Sequence, residues 1–247
     1  MKIAGFWSRS NQHWDELDTS VVFLQGCNFS CSFCPKASLI PVQKKEAGLN
    51  AHDIFHRLIE ESTHSNRLVI TGGEPLIQGK ALLTWLEELK NSGFRIKLET
   101  NASHPNVLRT LIQEELVDLV QIQLKGALRE TRLQERTATT GSSTAILDSI
   151  LLLRRERFPF EFSFTYIPTV HSVSELFELA QQVQGNERFI LQSLEYSTDF
   201  LDDGFERVKP LTIEQLQRMA ESIHHLLPNV QIQHERKKVL LENQLPA

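Results

Sequence analysis

The amino-acid sequence predicts an α/β protein built around a parallel β-sheet. Three observations support this fold class: short runs rich in β-branched and aromatic residues, amphipathic stretches between them, and polar motifs directly after several of the runs. Strand–helix alternation is typical of βαβ units, in which helical crossovers join parallel strands. Six such units could form an open doubly wound sheet or an incomplete barrel.

Six segments are predicted to be strands because each is short and rich in residues that favour extended backbone. In chain order they are residues 21–25, 67–71, 95–99, 119–123, 160–167 and 188–192. Helices are predicted over residues 51–62, 79–91, 105–115, 143–156, 173–184 and 212–226. In these stretches apolar residues recur at spacings of three and four, which places them on one helix face. Pro105 suits a first helical turn, and Thr212 followed by Glu214 and Gln215 marks the start of the last helix.

Polar motifs follow the first four predicted strands at the point where each strand ends. The cysteines follow the first strand, residues 71–75 (Thr-Gly-Gly-Glu-Pro) the second, residues 99–101 (Glu-Thr-Asn) the third, and Lys125 the fourth. In parallel α/β folds, ligands bind at the carboxyl ends of the strands. We therefore expect the functional site at this edge of the sheet.

Composition and charge restrict the classes of partner. The chain has 247 residues, of which 40% are hydrophobic and 23% charged, as is ordinary for a globular protein. Its net charge of −5 does not favour nucleic-acid binding, which needs clustered lysine and arginine. No apolar run reaches the roughly 18 residues of a membrane span, and the first residues lack a signal peptide's apolar segment. We therefore expect one domain over residues 1–247, cytoplasmic and without membrane or nucleic-acid partners.

The three cysteines of the chain form one tight cluster. Cys27, Cys31 and Cys34 lie within eight consecutive positions in a C-x3-C-x2-C pattern. In a reducing cytoplasm, an odd and clustered set argues against disulfides and for a metal centre on one loop. Thiolates are the usual ligands of iron–sulfur clusters. Three of them leave one iron of a cubane open for a substrate or a cofactor.

Two alternatives to a cluster stay open from these residues. A structural zinc site needs four ligands, usually cysteine and histidine in paired spacings, and the sequence has no second cysteine pair. His13, His52 and His56 could in principle complete such a site, but none shows a paired spacing with the cysteines. Three unrelated buried thiols are the other alternative, and their clustering on one loop makes it the less favourable one.

The pattern C-x3-C-x-aromatic-C, with Phe33 as the aromatic residue, resembles the signature of the radical S-adenosylmethionine (SAM) superfamily. Gly72, Gly73 and Glu74 extend the resemblance, because they match the family's Gly-Gly-Glu-Pro segment after the second strand. The resemblance implies an incomplete (β/α)6 TIM-like barrel, a [4Fe–4S] cluster on the three cysteines, and SAM bound at the open iron. It also implies reductive cleavage of SAM to a 5′-deoxyadenosyl radical, which abstracts a hydrogen atom.

Within the superfamily, the chain resembles the activating proteins of anaerobic ribonucleoside-triphosphate reductase, which are glycyl-radical-enzyme activases. The similar segments are residues 1–6, 21–29, 69–76 and 98–101 and, more loosely, 140–141, 146–150 and 189–192. The resemblance implies a glycyl-radical enzyme as the partner and a flavodoxin or ferredoxin as the electron donor. It implies no catalytic residue beyond the cluster ligands, and it implies cofactor contacts by Phe33, Gly72, Gly73, Glu74, Glu99, Thr100, Asn101 and Lys125.

Three places in the sequence depart from the activase pattern. Pro35 and Lys36 replace the usual His-Asn after the third cysteine, and Glu99 replaces the usual Asp of the third-strand motif. Gln123 replaces an Asp that, in related activases, helps to hold a monovalent cation near the SAM carboxylate. The acidic set is therefore reduced to Glu99, while Lys125 can pair with a carboxylate.

Two other functions stay open from the sequence. One is a small-molecule radical SAM enzyme such as 7-carboxy-7-deazaguanine synthase, which has a similar size and a similar third-strand motif. The chain lacks the Gly-Glu-Gly type of segment expected before the first strand of that enzyme. The other is a non-catalytic iron–sulfur or zinc module, which would bind metal without cleaving SAM. The Gly-Gly-Glu-Pro segment speaks against such a module, since a sensor has no need of it.

Overall fold

The computed structural model describes residues 1–10, 13–14, 18–41 and 49–234. Within these ranges, eight strands form one sheet in sequence order: β1 Ile3–Ser10, β2 Thr19–Leu24, β3 Arg67–Gly72, β4 Arg95–Thr100, β5 Leu119–Leu124, β6 Phe160–Tyr166, β7 Arg188–Ser193 and β8 Val230–Gln233. β1 is antiparallel to β2, and every later pair of neighbours is parallel. The sheet is therefore mostly parallel, with β1 and β8 at its two edges.

Helices connect most of the parallel strands. They are α1 Ala51–Glu61, α2 Lys80–Asn91, α3 Pro105–Gln113, α4 Glu130–Thr137, α5 Ser142–Arg155, α6 Val173–Gln182 and α7 Ile213–Ile223. Side-chain caps explain where several of them begin. Asn50 accepts a hydrogen bond from the backbone N–H of His52 at the start of α1, and Ser172 caps α6. Thr212 and Gln215 form a capping box at the start of α7.

The α/β class with a mostly parallel sheet is confirmed. The six predicted strands are present as β2 to β7, and the six predicted helices as α1 to α3 and α5 to α7. The edge strands β1 and β8 and the helix α4 were not predicted from the sequence. α4 is short and strongly polar and buries Leu133 and Thr137, so hydrophobic periodicity gives it little signal. β8 has four residues, too few for a strand to be recognised from alternating apolar and polar side chains.

The two faces of the sheet differ in chemistry, as β4 shows. Ile96 and Leu98 belong to the apolar core that the sheet forms with the helices, whereas Lys97 and Glu99 alternate with them and face the other side. Lys97 Nζ donates to the Glu161 carboxylate on β6 (2.7 Å) and to the His13 carbonyl after β1 (2.8 Å). The face that carries Lys97 and Glu99 is polar at β4 and β6 but apolar at β2 and β3, where Val21 and Val69 belong to one apolar cluster. The mostly parallel sheet agrees with an incomplete barrel.

The α-helices pack on the apolar face of the sheet. Fully buried leucines from five of them contribute to this core: Leu58, Leu86, Leu111, Leu153 and Leu179. Among the described helices, none combines the length and the apolar character that crossing a membrane requires.

Candidate functional site

The three cysteines lie on the loop that follows β2, and all three line one cavity at the carboxyl edge of the sheet. Cys31 is buried, Cys27 and Cys34 are half-buried, and all three are free thiols. The ends of the neighbouring strands supply the facing walls: Thr71, Gly72, Gly73, Glu99, Asn101, Gln123, Lys125, Ser163, Thr165 and Gln192. The site thus lies where the parallel topology brings strand ends together.

The residues around the end of α4 hold one side of the cysteine loop. The backbone N–H of Ser30 donates to the Thr137 carbonyl (2.8 Å), and the Thr139 hydroxyl donates to the Asn28 carbonyl (2.8 Å). The Asn28 side chain accepts from Asn101 Nδ2 (3.0 Å), which lies just after β4. The position of the loop therefore depends on β2, β4 and α4 together.

Gly72 and Gly73 allow the end of β3 to run directly against the cysteine loop. The backbone N–H of Gly73 donates to the Leu24 carbonyl (2.9 Å). A Cβ on Gly73 would lie 2.6 Å from the carbonyl carbon of Gly26, and a Cβ on Gly72 would overlap the backbone of Leu24. Gly72 also has φ +118°, in the region that favours glycine. The approach of the two segments thus requires glycine at both positions.

Glu74 is fully buried behind the wall of the cavity and does not line it. Its Oε1 accepts from the Leu76 N–H (2.9 Å) and the Thr100 hydroxyl (2.6 Å), and its Oε2 accepts from the Asn101 N–H (2.7 Å). Burial raises the pKa of Glu74 above its ordinary value, although these hydrogen bonds act in the opposite direction. Glu74 and Thr100, both predicted to contact a cofactor, have side chains that brace the ends of β3 and β4.

Glu99, Gln123 and Lys125 form a line of polar contacts along the cavity wall. The Glu99 carboxylate accepts from the Thr71 hydroxyl (2.8 Å) and lies 3.1 Å from His13 Nδ1. Gln123 Nε2 donates to Glu99 Oε2 (3.3 Å), and Lys125 Nζ donates to Gln123 Oε1 (3.4 Å). The Gln123 amide thus bridges a carboxylate and an ammonium group, using its donor toward one and its acceptor toward the other.

The Cys27 and Cys31 thiols are protonated at neutral pH when no metal is bound. Burial raises the pKa of Cys27 to about 11 and that of Cys31 to about 12, while the positive charge of Lys125 acts to lower both. Metal binding therefore displaces their protons. In the described part of the chain, no three His, Cys, Asp or Glu side chains converge on one metal ion. A cubane does not need such convergence, because each thiolate binds a different iron, so the three thiols fit a [4Fe–4S] cluster.

His171 joins Phe33 to the end of β5, a role that no sequence signal indicates. Its ring centroid is 5.8 Å from that of Phe33 and 4.8 Å from that of Phe164. His171 Nδ1 accepts from the Ile167 N–H (3.1 Å), so Nε2 carries the proton and donates to the Lys125 carbonyl (3.1 Å). Burial lowers the pKa of His171 to about 4, which keeps the ring neutral near pH 7.

The predicted site residues other than Glu74 and Thr100 line the one cavity, and their roles in binding stay predictions. Ser163 and Gln192 also line it, although neither was predicted from the sequence to be a site residue. Ser163 is the β6 partner of Gln123 in the sheet register. That register, which a single sequence does not give, is the signal that would have found it.

Residues 21–183 match the family model described as Radical SAM superfamily. A Methanocaldococcus jannaschii protein, named as a candidate glycyl-radical enzyme activating enzyme, is 25% identical over 232 residues, which are 93% of this chain and 95% of that protein. A 7-carboxy-7-deazaguanine synthase of Methanopyrus kandleri is 34% identical over 123 residues, 42% of this chain and 48% of that protein.

Solved structures give the same fold. A radical SAM methyltransferase from Sphaerobacter thermophilus superposes with a TM-score of 0.68 at 16% identity, over 89% of this chain and 67% of that one. Because the family match extends from β2 into the end of α6, it includes the cysteine loop and most of the strand ends around the cavity. The chain belongs to the radical SAM superfamily.

Proposed function

We propose that the chain is an activase that cleaves SAM reductively at a [4Fe–4S] cluster and generates a glycyl radical on a partner enzyme. The observation that carries this proposal is the single cavity in which three thiols of one loop face the polar ends of β3 to β7. The similarity to a candidate activating enzyme over 93% of the chain supports the activase function. We propose anaerobic ribonucleoside-triphosphate reductase as the partner and a flavodoxin or ferredoxin as the electron donor.

The superfamily implies a [4Fe–4S] cluster and SAM, which when bound supply a carbon radical that removes a hydrogen atom from the substrate. The residues of the chain hold and orient these groups. Cys27, Cys31 and Cys34 would bind three of the irons. Lys125 lies close enough to Cys27 and Cys31 to affect their pKa values, and its ammonium group can pair with the SAM carboxylate. Gly73 would offer its backbone carbonyl to the SAM amino group.

The wall of the cavity opposite the cysteines favours a peptide over an anionic small molecule. Gln123, Ser163, Thr165 and Gln192 line it with neutral groups that can donate and accept hydrogen bonds. A peptide backbone presents the matching neutral N–H and C=O groups. A carboxylated small molecule would instead need a dedicated cation. Lys125 is assigned to SAM, and the ammonium group of Lys36, the other lysine that lines this cavity, lies over the Phe23 ring, 4.4 Å from its centroid.

SAM cleavage is the first test. The chain is reconstituted with iron and sulfide without oxygen, reduced with dithionite and given SAM, and 5′-deoxyadenosine and methionine are measured. Cys31→Ala should abolish both products. Ser32→Ala, a change at an exposed residue of the same loop, is the matched control and should retain them. Uptake of zinc without formation of a cluster would overturn the proposal.

Radical transfer is the second test. The reduced enzyme is mixed with SAM and the anaerobic reductase, and the glycyl radical is detected by electron paramagnetic resonance. A reductase in which the radical-bearing glycine is replaced by alanine should give no signal. If SAM is cleaved but the wild-type reductase acquires no radical, this partner is wrong.

A small-molecule reaction is the second candidate function. It is favoured by the 34% identity to a 7-carboxy-7-deazaguanine synthase, although that match covers 42% of this chain. This alternative predicts turnover of a small molecule in the absence of any protein partner. Incubation with the synthase substrate and analysis by mass spectrometry distinguishes it from the activase function.

A further inference from the structure

His52 and His56 lie one turn apart on the outer side of α1, and their rings converge. The two Nε2 atoms are 3.2 Å apart, and the ring centroids are 4.4 Å apart. α1 buries Ile54 and Leu58, so both histidines project from the opposite, exposed side of the helix. Neither residue lines the cofactor cavity. The pair is therefore separate from the proposed activase site and independent of its function.

A hydrogen bond between the two rings would add little stability to the chain. It therefore does not explain why the two Nε2 atoms lie so close together. Without metal, one Nε2 of His52 and His56 must donate a proton and the other must accept it. On an exposed helix, water satisfies the same two atoms, so such a bond contributes little net stability. Two Nε2 atoms this close together can, in contrast, both bind one metal ion, because a neutral imidazole can offer a lone pair at that nitrogen.

We propose that His52 and His56 form a two-histidine binding site for a borderline divalent transition metal such as Zn(II), Ni(II) or Cu(II). A metal placed about 2.1 Å from each nitrogen and a separation of 3.2 Å between them give an N–metal–N angle of about 100°. That angle lies between the values for tetragonal and tetrahedral coordination. Water would occupy the other positions. Imidazole ligands favour these ions over Mg(II) or Ca(II).

The surroundings of the pair suit a cation. Asp53 Oδ1 lies 3.9 Å from His52 Nδ1, on the side of the ring that faces away from the metal position. That distance is too long for a hydrogen bond, so Asp53 contributes a negative charge beside the pair and does not fix the tautomer of His52. The Arg57 guanidinium lies over the Phe6 ring, 5.5 Å from its centroid. Asn50 caps α1 through the His52 N–H (3.0 Å), which fixes the helical spacing of the two histidines.

The test is a titration of Zn(II) into the full-length, cluster-loaded protein without a polyhistidine tag. The loaded cluster keeps the three thiols from binding the added zinc, and its absorbance is followed to show that it stays intact. Calorimetry should give one zinc per chain for the wild type. His52→Gln and His56→Gln should each weaken binding about tenfold or more, since each removes one of two protein ligands.

His64→Gln is the matched control, because His64 is an exposed histidine just beyond α1. It should leave the zinc affinity unchanged. Zinc should also shift the Nε2 resonances of two histidines in long-range 1H–15N spectra of the wild type. Absence of zinc binding, or affinities in both pair variants equal to that of the control, would overturn the proposal. Circular dichroism checks that the variants keep their helix content.

Discussion

Gly73→Ala should displace the cysteine loop and destabilise the chain. Its new Cβ would lie 2.6 Å from the carbonyl carbon of Gly26 and 3.2 Å from the backbone nitrogen of Cys27. Real Cβ atoms essentially never come within 3.0 Å of such neighbours, so the end of β3 and the loop must move apart. Gly73 is not at a positive φ, so the substitution adds no backbone strain of that kind and tests only whether a methyl group fits.

The expected loss of folding stability comes from overpacking and from two weakened hydrogen bonds. Inserting one methyl group into a tightly packed position costs about 1–3 kcal/mol. Separating the two segments also weakens the bonds from Gly73 N–H to the Leu24 carbonyl (2.9 Å) and from Glu74 N–H to the Gly26 carbonyl (2.8 Å). At about 1 kcal/mol for each bond, the total loss is roughly 3–5 kcal/mol. Such a loss is a large part of the roughly 5–15 kcal/mol that stabilises a typical domain.

The assay combines urea unfolding of the metal-free chain with the iron content of the reconstituted chain. Gly5→Ala is the matched control, because its Cβ would lie 3.6 Å from the Phe23 side chain, an ordinary contact. That control should change the free energy of unfolding by no more than about 1 kcal/mol. Gly73→Ala with a stability within 1 kcal/mol of wild type and a full iron content would refute the reasoning.

Three further predictions concern single side chains. Glu74→Gln should lower the free energy of unfolding by about 1–3 kcal/mol in urea, because an amide N–H₂ replaces one acceptor oxygen; an unchanged midpoint would contradict the bracing role. The folded pKa of His171 is about 4, below its unfolded value. Wild-type stability should therefore be complete above about pH 6.5 and fall by roughly 3 kcal/mol toward pH 4. His171→Gln should remove that part of the pH dependence, and parallel pH profiles would contradict it. Lys125→Met should weaken SAM binding about tenfold by calorimetry while the iron content stays unchanged, and undiminished affinity would contradict the proposed ion pair.

The location of the site was predictable because it depends on topology. Strand–helix alternation implies parallel strands, and parallel strands bring their carboxyl ends together. The cysteines, Gly72 and Lys125 each follow such a strand in the sequence, and the structure places them around one cavity. No side-chain detail was needed for that step, so a single sequence was sufficient.

Side-chain direction and partner choice were not predictable in the same way. Glu74 lies in a recognisable motif, but only the close approach of Leu76, Thr100 and Asn101 shows that its carboxylate is buried and already saturated with donors. His171 depends on contacts to Phe33 and Lys125 that are distant in sequence. Such roles follow from the tertiary packing that surrounds a residue, which local patterns do not encode.

The contact between the cysteine loop and the residues around the end of α4 has a consequence for biosynthesis. Thr139 and Asn28, which form one of these hydrogen bonds, are 111 residues apart in the chain. During translation, the cysteines emerge from the ribosome long before the segment that fixes their loop has been made. At about 5–20 residues per second, this interval lasts roughly 5–20 seconds. The cysteine loop therefore lacks this part of its support during that time.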